Sequence, residues 1–136
     1  MIKTRNLGDY KIHLKAAGEV AAGANKDVAK VPFDGWLANV VASFSSITGN
    51  TNSVVDINYL GTSIFGGTAR ITLSTLSNTP TYNTLSTDPL PVTAGSLFTM
   101  DVDSVSTTLT NLIVDLVITR TPPAKTTTLS NLDGVI

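Results

Sequence analysis

Apolar and polar residues alternate along much of this chain, and the alternation predicts strands rather than helices. In residues 9–16, Tyr10, Ile12 and Leu14 fall on one side and Asp9, Lys11, His13 and Lys15 on the other, the period of a half-buried strand. Residues 36–44 place Ala38, Val40, Ala42 and Phe44 on one face, against a mixed face of Leu37, Asn39, Val41 and Ser43. Val55, Ile57 and Tyr59 alternate with Val54, Asp56 and Asn58; Phe98, Met100 and Val102 alternate with Leu97, Thr99, Asp101 and Asp103. Residues 70–73 read as a short strand. Residues 112–119 are largely apolar on both faces, which predicts a strand in the middle of a sheet.

Breakers divide these segments. Pro32 ends one ladder and Asp34-Gly35 turns into the next. Gly49-Asn50-Thr51-Asn52 and Leu60-Gly61-Thr62-Ser63 are further turns, the second leading into a short strand at Ile64-Phe65. Residues 17–26 hold Gly18 and Gly23 and read as a loop despite their alanines. Residues 74–95, with Pro80, Pro89, Pro91 and Gly95, read as a long polar loop facing solvent, either functional or containing short irregular strands. Pro122-Pro123 stops the sheet. Seven or eight short strands with no helix of ordinary length predict an all-β antiparallel β-sandwich or jelly roll. Its expected interior is Ala38, Val40, Ala42, Phe44, Val55, Ile57, Phe98, Met100, Val102, Leu112, Val114 and Leu116. The organisation read is an extended N-terminal arm (1–8), a jelly-roll domain (9–120) and a C-terminal tail (121–136).

Composition points the same way: 21 Thr and 12 Ser stand against a single Glu, favouring the pleated surface of strands. With 42% hydrophobic and only 14% charged residues the chain is too apolar for disorder. It is also sparsely charged for a free monomer, which suggests that partners cover some surface. Residues 1–30 carry a net charge of +3, residues 31–119 of −5 and residues 120–136 of +1. Basic arm, acidic body and mildly basic tail suit subunits that grip neighbours. A net charge of −1 argues against nucleic-acid binding by a basic surface. No apolar run approaches the ~20 residues of a membrane helix and no signal-peptide pattern opens the chain, so no membrane partner is expected.

Candidate chemistry is sparse. With no cysteine and one histidine, disulfides, thiol catalysis, cysteine-ligated metals and multi-histidine centres are excluded. Asp101 and Asp103 project from one face, and with Asp56 and Asp115 they could meet around calcium, although no calcium-loop spacing is present. They read chiefly as solvated outer-face carboxylates. No serine sits in a Gly-x-Ser-x-Gly elbow, His13 lies on a polar face, and Gly66-Gly67 lacks the lysine and helix of a phosphate loop. Trp36, Phe33 and Phe44 could form a sugar-stacking platform or part of the core. Neither enzymatic activity nor a cofactor is expected.

Residues 31–119 resemble small jelly-roll domains of tailed-bacteriophage virion proteins. The resemblance rests on Pro32-Phe33-Asp34-Gly35 before a strand, Val55-Asp56-Ile57-Asn58, Gly61-Thr62-Ser63-Ile64, Ala94-Gly95 before a strand, Asp101-Val102 and the closing apolar strand. It implies a non-enzymatic virion component, commonly trimeric, in capsid decoration (cement) proteins or in tail, baseplate and fibre proteins. The expectation is a decoration protein assembled in the host cytoplasm, binding itself as a homotrimer and the major capsid protein or other virion subunits. The alternatives are a tail, collar, baseplate or head-fibre component, or a host-surface glycan-binding module. Attachment is expected through Ile2, Lys3, Arg5, Leu7, Lys11 and Lys15 at the N-terminal end and Leu129, Leu132, Val135 and Ile136 in the tail. Individually weak ion pairs gain from multivalency there, and the apolar side chains act as anchors.

Overall fold

The computed structural model describes residues 9–74, 77–81 and 85–122. The described residues form strands and turns and no helix. The strands are β1 (Tyr10–Glu19), β2 (Gly23–Lys30), β3 (Gly35–Ser43), β4 (Ser46–Thr48), β5 (Ser53–Tyr59), β6 (Thr62–Ser63), β7 (Ile71–Ser74), β8 (Ser77–Thr81), β9 (Leu90–Val92), β10 (Leu97–Ser104) and β11 (Thr108–Thr119).

They make two antiparallel sheets. The first has the order β1-β11-β3-β9, with β4 beside β11; the second has the order β2-β10-β5-β7-β8, with β6 beside β5. The long strands pair from the ends of the sequence inward: β1 with β11, β2 with β10, β3 with β9 and β5 with β7. That is one long hairpin folded over itself so that its pairs alternate between two sheets, the jelly-roll connectivity. The all-β sandwich expected from the alternation is what the chain forms.

The sheets close on one apolar core. Ile12 and Leu14 of β1, Leu37, Val40 and Ala42 of β3, and Leu112, Val114, Leu116 and Ile118 of β11 face Val55 and Ile57 of β5, Ile71 and Leu73 of β7, and Phe98, Met100 and Val102 of β10. Most of the expected interior is buried. Ala38 and Phe44 are only half-buried, and Leu37, expected on the outer face, is fully buried. The cause is a bulge: Ile118 pairs with Leu37 but Val117 pairs with Asn39, so Ala38 is an extra residue and the inward parity switches along β3.

Two loop expectations are also corrected, and the 74–95 segment holds the short strands that are one of its two readings. Residues 17–26 do not form a loop: β1 runs on to Glu19, β2 begins at Gly23, and only residues 20–22 connect them. The extension of β1 carries a bulge between Ala16 and Glu19, where Gly18 takes a φ of 71° and its N–H donates to Asn111 Oδ1 at 2.7 Å. Residues 74–95 contain β8 and β9, with Leu85 and Val92 buried in the core. Both are edge strands, and Pro80 and Pro91 lack the N–H that a further strand would need. Finally, the strand after the turn at Leu60-Gly61 is Thr62–Ser63, while Ile64 and Phe65 drop into the core and Phe65 bridges to Leu85.

Candidate interaction surface

The outer face of the first sheet combines basic and apolar rows. Pairing across β1, β11 and β3 sets Lys15, Ile113 and Ser43 side by side, then His13, Asp115 and Val41, then Lys11, Val117 and Asn39. Lys11, His13, Lys15 and Val41 are exposed, and Ile113 and Val117 are half-buried. His13 Nδ1 and Asp115 Oδ1 are bonded across the strands. β1 is an edge of this sheet, and charged side chains on an edge discourage pairing with another chain. Asp27 of β2 covers part of that edge by accepting the Lys15 N–H on Oδ2 at 2.7 Å.

At one end of the same sheet, Tyr10 pairs with Ile118 and Trp36 with Thr119. The chain therefore enters and leaves the sandwich on neighbouring strands. Phe33 presents its ring to Tyr10 in an edge-on contact, centroids 6.3 Å apart, and the Arg120 guanidinium lies 3.8 Å over the Phe33 ring. Gly35 makes this junction possible: a Cβ there would sit 2.1 Å from the Thr119 carbonyl oxygen. Phe44 lies just past the opposite end of β3 and, like Phe33, packs against the core, so of the two readings open for Trp36, Phe33 and Phe44 the three-ring platform does not assemble and the core reading holds for these two.

The outer face of the second sheet holds three of the four aspartates considered for calcium. Asp56 is buried, not solvated as expected, at 6% exposure. It accepts the Ser63 hydroxyl at 2.6 Å and faces Arg70 Nε at 3.3 Å. Burial pushes its carboxyl above the usual value, and the Ser63 bond and the Arg70 charge only partly offset that. Asp103 lies 3.8 Å from the same Arg70 nitrogen. Asp101 is directly opposite Asp56 in the ladder but accepts from the Asn25 N–H and the Asn58 amide at 2.8 Å each. Asp115 is in the other sheet. Among the described residues no group of three or more His, Asp or Glu side chains converges as a metal site would require. The Arg70 cluster acts as a structural clip, and its guanidinium also donates to the Gly67 and Ala69 carbonyls.

Of the expected attachment residues, Lys11 and Lys15 lie on the exposed outer face of β1. Ile2, Lys3, Arg5 and Leu7, and Leu129, Leu132, Val135 and Ile136, lie outside the described residues. The sequence marks residues 112–119 as apolar on both faces, one of them open to a neighbouring subunit, but only the pairing joins Ile113, Val117 and Val41 with Lys11 and Lys15 in one surface. Comparison of the chain with protein-family models, with curated proteins and with solved structures found no match.

Proposed function

We propose that this chain is a non-enzymatic structural subunit of a tailed-bacteriophage virion, a capsid decoration protein that binds and stabilises the outer shell as a self-associating subunit. The observation that carries the reading is the adjacency of Tyr10 and Ile118. With its ends on neighbouring strands, the jelly roll can direct residues 1–8 and the segment after Pro122 at one surface of a neighbour. Lys11 and Lys15 lie on the outer face of that same sheet.

Two arms working together gain effective concentration, and self-association multiplies the gain. Each exposed lysine contributes on the order of 0–1 kcal/mol; apolar anchors such as Leu129 and Ile136 contribute roughly 1.5–3 kcal/mol each before ordering costs. The test is binding of the full chain, a variant lacking residues 1–8, and Lys11→Glu/Lys15→Glu to undecorated particles at low and high salt. Weaker binding of both variants, with the lysine variant losing its deficit at high salt, is expected. Equal binding by all three proteins would refute the attachment scheme. A copy number of a handful per particle would move the protein to the tail, collar, baseplate or head fibre. A glycan-binding module is favoured only by the half-exposed Tyr10 beside Phe33, and a glycan array reads it out.

A further inference from the structure

Leu60 is held against two physical preferences at once. It is the most exposed of the large hydrophobics among the described residues, at 64%. It also sits in the left-handed region, with φ of 54°, as the first of the two turn residues between β5 and β6. Gly61 follows at φ 84°, so both central residues have the positive φ that such a hairpin turn needs. Among the described residues the other non-glycine positions at positive φ are Asn25 and Asn111, the residue type that tolerates it; a leucine there is strained. The Leu60 N–H donates to the Leu97 carbonyl, and Leu97 and Val28, both exposed, continue the apolar surface across the second sheet. Strain and exposure at one residue point to a contact made by its side chain.

The same chain carries a matching hollow. The bulge that ends the regular pairing of β1 with β11 leaves a dimple of about 220 Å³ on the outer face of the first sheet. Lys15, Ala16, Ala17, Asn111, Leu112 and Ile113 line it, and its accessible wall is almost wholly apolar. The hollow is open to solvent rather than enclosed, and its volume exceeds that of one leucine side chain. Leu60 lies at the end of the sandwich where β5 finishes and β10 begins, on the second sheet; the dimple lies at the other end, on the first sheet. The rim charges are mixed: Lys30, opposite Leu97, at the knob and Lys15 with Glu19 at the hollow, so Lys30 of one copy can meet Glu19 of the next.

We propose that Leu60 of one copy seats in the dimple between Ala17 and Ile113 of a second copy. Because knob and hollow are on opposite sheets and opposite ends, the contact is heterologous, and its repetition either closes into a ring or continues as a filament. This rests on the self-association in the functional reading and names the surfaces that make it.

Leu60→Asn keeps the turn, since asparagine is at home at positive φ, while removing the apolar knob. In sedimentation of the full chain over a concentration series, Leu60→Asn should associate roughly ten- to a hundredfold more weakly than the wild type. The chain has no cysteine, so Leu60→Cys and Ala17→Cys provide a clean cross-link. Mixed under oxidising conditions, the two variants should form a disulfide-linked pair that neither forms alone. A wild type that stays monomeric throughout would overturn the proposal. So would a Leu60→Asn variant that associates like the wild type, or cross-linking by Leu60→Cys alone. Particle binding, scored separately, reads the virion assignment and leaves this contact to be judged on association.

Discussion

Replacing Arg70 with methionine tests what the clip on the second sheet does. Arg70 Nε lies 3.3 Å from a carboxylate oxygen of Asp56, whose side chain is only 8% exposed. At an effective dielectric of about 20, one pair of unit charges at that distance interacts by about 5 kcal/mol before desolvation is subtracted. Breaking a buried pair from one side costs about 3–5 kcal/mol, because the remaining charge is left uncompensated. Here the Ser63 hydroxyl still serves Asp56, so a loss of about 2–3 kcal/mol at neutral pH is expected. The sign of the pH dependence follows from the raised carboxyl. A carboxyl raised in the folded state contributes stability that is present below its unfolded value of 3.8 and lost as pH rises through the higher folded value. Without the arginine that loss is steeper, so Arg70→Met should be hurt more at pH 7 than at pH 4. Adding Asp56→Asn removes the titrating group and should recover part of the loss at pH 7 and flatten the difference. Urea unfolding at the two pH values measures all three proteins. A loss below about 0.5 kcal/mol at pH 7, or one of equal size at both pH values, would refute the argument.

Three further substitutions probe the geometry around β3. Gly35→Ala puts a methyl group 2.1 Å from the Thr119 carbonyl oxygen, so β3 must move off β11 at its first pair; a cost of about 2–4 kcal/mol is expected in thermal unfolding. Leu37→Ala should cost about 2–5 kcal/mol, whereas Val41→Ala, on the exposed parity, should cost less than about 1 kcal/mol. Equal denaturation midpoints for the last two would contradict the bulge at Ala38.

Much of this fold was legible because strand alternation is local. A period of two places Ile12 and Leu14 inside, and Val55 and Ile57, and Phe98 through Val102, without reference to any partner. The same rule put Lys11 and Lys15 outward and marked residues 112–119 as central, where β11 lies between β1 and β3. The rest depends on residues distant in sequence. Leu37 turns inward because β3 gains a residue against β11, a mismatch that only the pairing defines. Val92 and Leu85 are buried because β3 and Phe65 offer them partners, which a segment rich in proline and threonine did not advertise. Asp56 is on the outward parity of β5 yet buried, since Arg70, 14 positions along the chain, folds back over it. The tight turn at Leu60-Gly61 was readable, but not that a leucine would stand exposed in the left-handed region. Alternation decides which face of a strand is apolar. Only the sheets decide which strands adjoin, and so that Tyr10 lies beside Ile118 and a candidate surface exists where the two ends of the domain meet.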